Sequence, residues 1–71
     1  MPEANSELVQ RLYSGLMYYE SIGVNLDFER VQEYVYEECI VRPLAKGEPT
    51  VTEAQFEALT EQVWARVQAT A

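Results

Sequence analysis

The chain of 71 residues contains no histidine and only one cysteine, Cys39. Without histidine, Ser–His–Asp catalysis is excluded, and no base is available to activate the thiol. Helical di-metal sites, which pair glutamates with histidine, and the usual zinc sites also lack their ligands. A single cysteine rules out a disulfide within the chain. We therefore expect no enzyme, no catalytic residue, no bound metal and no cofactor.

Basic residues and long apolar runs are scarce as well. Five Lys and Arg against twelve Asp and Glu give a net charge of −7, which repels phosphate backbones and anionic lipid. No run approaches the ~18 apolar residues that a membrane span needs. The opening MPEANSE lacks the basic and apolar regions of a secretory signal. We expect a cytoplasmic protein that binds neither nucleic acid directly nor membranes.

Glycines are few and far apart, at positions 15, 23 and 47, so there is no glycine-rich phosphate loop. No alternation of period two is long enough for a strand, whereas helical spacing recurs along the chain. The sequence predicts a single all-α domain over 1–71, a small three-helix bundle with antiparallel up-down-up topology. Its helices should span about 6–22, 26–42 and 53–69, with flexible ends at 1–5 and 70–71.

The third helix has the clearest start. Thr52 and Gln55 have the spacing of a capping box, in which each side chain bonds the backbone N–H of the other residue. Val51 and Phe56 have the spacing of a hydrophobic staple. Two coincident signals predict that this helix begins at about residue 53.

The first helix should begin at Asn5 or Ser6, either of which can act as an N-cap. Gly23 should end it, because glycine tolerates the left-handed conformation of a C-cap. Gly15, in the middle of the helix, costs about 1 kcal/mol relative to alanine. We expect another helix to approach closely at that position in compensation.

The second helix should begin at Asn25 or Asp27 and end or kink before Pro43. A short extra helical turn near Leu44 is compatible with the connection that follows. Apolar residues at helical spacing give one inward stripe to each helix. The stripes contain Leu8, Leu12, Gly15, Leu16, Tyr19 and Ile22; then Phe28, Val31, Val35 and Cys39; and finally Phe56, Leu59, Val63 and Val67.

Helix one carries more apolar surface than one intramolecular contact requires. Val9, Tyr13 and Met17 widen its sector to about twice the ~100° typical of a surface helix. A chain this short buries only about 60–65% of its unfolded surface, which favours completing the core by association. We therefore predict a non-enzymatic interaction module or regulatory subunit that binds a protein partner or forms a homodimer, with Tyr19 in the core. The predicted interface contains Val9, Tyr13, Met17, Tyr36, Ile40 and Trp64.

Acidic residues at helical spacing suggest an alternative function. The chain could act as an acidic inhibitor or nucleic-acid mimic that occupies a basic cleft on a partner. A solvated acidic face explains the same spacing. The sequence does not decide whether these carboxylates bind a divalent ion, or whether a small ligand binds between the helices. The acidic face contains Glu29, Glu33, Glu37, Glu57 and Glu61.

Overall fold

The computed structural model describes the backbone of residues 2–69 and the side chains of residues 6–69. Its elements are α1 (Pro2–Ser21), α2 (Phe28–Tyr36), a π-helical turn (Glu37–Val41), α3 (Arg42–Ala45) and α4 (Glu53–Ala69). Because α2, the π turn and α3 follow one another without a break, the described residues form three helical segments and no strand. The predicted all-α bundle is confirmed at this level. Met1 and the predicted flexible end 70–71 lie outside the described residues.

Helix α1 begins earlier than predicted and ends where predicted. It starts at Pro2, so Asn5 and Ser6 lie inside the helix rather than capping it. Proline suits the first helical turn, where an N–H donor would have no partner within the helix. At the other end, Gly23 has a φ of 93°. Its N–H and that of Val24 donate to carbonyls of the last turn, both at 3.0 Å, which confirms the left-handed C-cap.

The second helical segment begins as predicted but ends later. The Asp27 carboxylate accepts a hydrogen bond of 2.8 Å from the Arg30 N–H, so Asp27 is the N-cap. The segment then passes through Pro43 instead of ending at position 42. Just before Pro43, the Arg42 N–H donates to the Glu37 carbonyl, five residues earlier. We attribute the continuation to this wider turn, because a proline ring clashes with the carbonyl four residues back in a regular α-helix.

The extra helical turn near Leu44 is α3, and it closes on a second glycine cap. Gly47 has a φ of 73°, and the Glu48 N–H donates to the Pro43 carbonyl at 2.8 Å. The capping box of α4 is also present. The Gln55 N–H donates to the Thr52 hydroxyl at 3.1 Å, and the Thr52 N–H donates to the Gln55 side-chain oxygen at 2.8 Å.

The core lies where α4 packs against both α1 and α2. Most of the predicted stripe residues are buried, as is Thr60, whose hydroxyl donates to the Phe56 carbonyl at 2.8 Å and so needs no other partner. This polar residue was missed by the search for apolar spacing. The buried apolar residues are Val9, Leu12, Leu16, Val31, Val35, Cys39, Leu59, Val63 and Val67.

Three stripe residues were wrongly assigned to the core. Tyr19, Ile22 and Phe28 are 41%, 58% and 42% exposed. Contacts between α1 and α2 are sparse compared with those that each makes with α4. Tyr19 and Ile22 therefore stay exposed at the end of α1, while Phe28 packs edge-on against α4, at Trp64.

Gly15 allows a close contact between α1 and α2. A Cβ atom placed on Gly15 would lie 2.9 Å from Cζ of Tyr34 and closer still to the Tyr34 hydroxyl oxygen. The approach expected at this glycine is present, and it is made by a side chain of the second helical segment. Because glycine at position 15 has no side chain, the Tyr34 ring can pack directly against α1.

Candidate functional site

Most of the interface predicted on α1 packs against other parts of the same chain. Val9 is only 4% exposed and belongs to the core, so it cannot form an outer surface in this fold. Tyr13 and Met17 are half-buried against that core. The Arg66 guanidinium lies 5.0 Å from the centre of the Tyr13 ring, in cation–π geometry. The expectation that this sector stands free is therefore corrected, because α4 packs across it.

Two of the other predicted anchors, Tyr36 and Trp64, lie on a different face, where α2 meets α4. Tyr36 is 48% exposed, while Ile40 and Trp64 are half-buried. Tyr36 packs edge-on against Phe56, with ring centres 5.6 Å apart. Phe28 packs in the same way against Trp64 at 5.8 Å. Two aromatic pairs thus join α2 to α4, and each contributes about 0.5–1.5 kcal/mol beyond area burial.

Between these pairs runs a shallow depression that we call the aromatic groove. It comprises one cavity of about 500 Å³ near Tyr36 and an adjoining one of about 200 Å³ near Phe28. Both cavities are open to solvent, so the groove is an open surface depression rather than an enclosed pocket. The residues of its floor are Phe28, Gln32, Tyr36, Phe56 and Thr60.

Four of the five residues of the predicted acidic face border this groove. Glu33 does so from α2, Glu37 from the start of the π-helical turn, and Glu57 and Glu61 from α4. We call these four the acidic rim. All are exposed, and none makes an ion pair with a side chain in the described part of the chain. Glu29 is exposed but lines neither cavity. No group of residues within 2–69 is arranged to hold a metal ion.

A second exposed surface, which the sequence analysis did not identify, lies where α1 meets the start of α2. The rings of Tyr18, Tyr19 and Tyr34 follow one another edge to face, with centres 5.5 Å and 6.0 Å apart. We call this region, together with Ile22, Val24 and Leu26, the tyrosine surface. It surrounds a depression of about 430 Å³. The signal that could have revealed it is the adjacent tyrosine pair close to a helix end.

The tyrosine surface has mixed charge. Arg30, Glu33 and Glu37 line its depression beside the apolar residues. Partial burial raises the pKa of the Tyr34 hydroxyl, and the nearby Glu38 carboxylate raises it further. The Tyr34 phenol therefore stays protonated at pH values above its usual titration range, and its O–H remains a hydrogen-bond donor.

Cys39 has the environment of a structural thiol. It is 5% exposed, as its place on the stripe of the second helix predicted. Burial raises the pKa of the thiol, and the Glu38 carboxylate adds to this effect. Since the thiolate is the reactive form, this environment disfavours nucleophilic chemistry.

No helix within residues 2–69 has both the length and the hydropathy required to cross a bilayer. No known protein family, curated protein or solved structure matches the chain.

Proposed function

We propose that this protein is a non-enzymatic protein-interaction module that forms a homodimer through its tyrosine surface. The observation that carries the proposal is the exposure of three large neighbouring side chains. Tyr18, Tyr19 and Ile22 are 62%, 41% and 58% exposed. Aromatic side chains bury much area at low rotamer cost, which is why tyrosine is frequent among the residues that dominate binding energy. Contiguous apolar patches on soluble proteins commonly mark interaction sites.

The charges of the tyrosine surface suit a second copy of the chain. A two-fold axis brings the same surface of each protomer together. Arg30 of one protomer can then face Glu33 or Glu37 of its partner, because all three line the same depression. The net charge of −7 opposes association, but such repulsion is screened over roughly 8–10 Å at ordinary salt.

The amount of exposed surface also supports association. The chain exposes 4988 Å², and a chain of this length buries only about 60–65% of its unfolded surface, so its own core is small. An interface of standard size covers about 800 Å² on each partner, roughly a sixth of the exposed surface of this chain. Pairing would therefore supply burial that a small bundle lacks.

The dimer proposal is tested by analytical ultracentrifugation at micromolar concentration. Tyr19→Glu and Ile22→Glu should shift the wild-type dimer toward monomer. Gln10→Glu is the matched control, because it adds the same charge to an exposed position of α1 that does not line the depression. Circular dichroism should show unchanged helicity in all three variants. A wild-type chain that stays at 8.2 kDa at high concentration and moderate salt would refute the dimer.

A second candidate is the acidic inhibitor or nucleic-acid mimic. The observation that favours it is the acidic rim, whose four exposed carboxylates form no ion pair with any side chain among residues 6–69. Association through such a rim should weaken steeply as ionic strength rises, while an apolar interface should persist. Binding measured at low and high salt therefore separates the two functions.

A further inference from the structure

We infer that the aromatic groove binds a cationic amphipathic helix of a partner protein. This inference rests on the proposed role as an interaction module, but it does not require the dimer, because the aromatic residues of the groove are not part of the tyrosine surface, although Glu33 and Glu37 border both. It assigns the groove an occupant of defined chemistry. The argument uses the length of the groove, the character of its floor and the charge of its rim.

The length follows from the two aromatic pairs. Position 28 packs on position 64 and position 36 on position 56, so α2 and α4 run in opposite directions along the groove. The pairs are separated by eight positions on each helix (36 − 28 and 64 − 56), which corresponds to about 12 Å at 1.5 Å per residue. Apolar side chains about two turns apart on a ligand helix span a similar distance, as in the usual recognition of a helix by a groove.

The floor can accept apolar side chains without leaving a buried polar group unpaired. The Thr60 hydroxyl already donates to the Phe56 carbonyl within α4. Tyr36 and Phe28 expose about half of their surface beside it, at 48% and 42%. Gln32 is exposed, and its amide can turn toward solvent. A leucine or a ring from the partner would therefore contact aromatic carbon at either end of the groove.

The rim selects positive charge on the partner. Glu33 and Glu37 are about one turn apart on the second helical segment, and Glu57 and Glu61 are about one turn apart on α4. The rise between the members of each pair is about 6 Å. Lysine or arginine on both flanks of an apolar stripe would meet carboxylates on both sides. None of these carboxylates is ion-paired within the part of the chain that the structure describes, so binding to a single protomer would not first break an ion pair.

The same rim disfavours the other candidate occupants. A second copy docked groove to groove would bring eight rim carboxylates together without a cation, since no basic residue lines the groove. Nucleic acid would be repelled for the same reason. A neutral apolar helix could fill the floor but would gain nothing from the rim. A cationic amphipathic helix is the occupant that satisfies both features.

Trp64 provides the readout, because it is the only tryptophan and packs on Phe28 at one end of the groove. The probe is a synthetic helical peptide of about four turns, with leucines along one face and lysines on both flanks. One control has the same composition in a scrambled order, and another has glutamate in place of lysine. We expect the amphipathic lysine peptide to change the Trp64 fluorescence and to bind at least about tenfold more tightly than either control.

Variants of the protein locate the site. Glu57→Lys should weaken peptide binding at least about fivefold, whereas Glu20→Lys, the same change on exposed α1, should have less than about a twofold effect. Tyr36→Ala should weaken binding, and Tyr18→Ala on the tyrosine surface should not. Circular dichroism would show that each variant retains its fold.

The outcomes separate this inference from the proposed dimer. Binding should persist in the Tyr19→Glu variant, in which the dimer is disrupted. If the scrambled peptide bound equally well, the interaction would be non-specific charge attraction and the inference would be wrong. It would also be overturned if Tyr36→Ala abolished self-association, because a second copy would then occupy the groove. If the protein formed the dimer but bound none of the peptides, the inference about the groove would be wrong and the dimer proposal would stand.

Discussion

Replacing Gly15 by alanine should fail to stabilise the protein, although alanine is the better helix former. The reason is the Tyr34 ring, whose Cζ would lie 2.9 Å from the new Cβ and whose hydroxyl oxygen would be closer. The ring is rigid, and Tyr19 packs against its edge, with ring centres 6.0 Å apart. To accept the methyl group, Tyr34 must move or α1 and α2 must separate.

Two opposing free energies decide the size of the effect. Alanine in a helix interior gains about 1 kcal/mol over glycine. Forcing an extra methyl group into a packed contact costs about 1–3 kcal/mol. In the wild-type background, Gly15→Ala should therefore change the free energy of unfolding by about 0–2 kcal/mol in the destabilising direction. With Tyr34→Leu the obstruction is shorter, and Gly15→Ala should stabilise by up to about 1 kcal/mol.

The assay is a double-mutant cycle measured by urea unfolding. We expect a coupling of about 1–3 kcal/mol between positions 15 and 34. Ser14→Ala is the control for helix propensity, because Ser14 is exposed and its hydroxyl only accepts a hydrogen bond from Gln10. The account of Gly15 is wrong if Gly15→Ala raises stability by the same amount in the wild-type and Tyr34→Leu backgrounds.

Three further predictions concern local structure and titration. Cys39 should react with a thiol reagent far more slowly in the native protein than in urea, and rapid native labelling would contradict its burial. Thr52→Ala should cost about 0.5–2 kcal/mol through loss of the N-cap, whereas Thr52→Ser should cost less; equal urea midpoints for wild type and Thr52→Ala would contradict the cap. The folded pKa values of Cys39 and Tyr34 are raised, so the unfolded chain loses these protons first as pH rises. Their contribution to stability is full below about pH 9 for the thiol and about pH 10 for the phenol, and it is lost as the pH rises further. The urea midpoint should therefore fall less steeply with pH in a Cys39→Ala, Tyr34→Phe variant.

The features that were correctly predicted are those that short stretches of sequence determine. Asp27 caps α2, and the Thr52 and Gln55 box starts α4, because each pair of partners lies within three residues. Gly23 ends α1 for a similarly local reason. The close approach at Gly15 was also predictable, since a mid-helix glycine needs compensation, although its partner Tyr34 could not be named.

The errors arise where packing between helices decides the outcome. The spacing of apolar residues on α1 gives their angular positions but not the side that α4 covers. Val9 was therefore assigned to the surface and Tyr19 to the core, and the structure exchanges them. The passage through Pro43 depends on a π turn that no local preference indicates.

The candidate site was predicted in pieces. Tyr36 and four of the five acidic residues were identified, but as two competing interpretations, an apolar interface and an acidic face. Tyr36 and these acidic residues border the same groove only because of the register in which α2 packs against α4. That register is shown by the contacts of Tyr36 with Phe56 and of Phe28 with Trp64. Sequence spacing within single helices contains no such information.

The claim that exposed tyrosines join two copies of the chain is tested most directly by nuclear magnetic resonance. Amide chemical shifts of an isotope-labelled sample should be compared between about 1 mM and about 20 µM, a range that spans a micromolar dimer equilibrium. We expect concentration-dependent shifts centred on Tyr18, Tyr19 and Ile22, with Gln10 unchanged. The dimer proposal is contradicted if no shift depends on concentration while the relaxation rates are those of a monomer of 8.2 kDa, or if the changes centre on Tyr13 and Met17 instead.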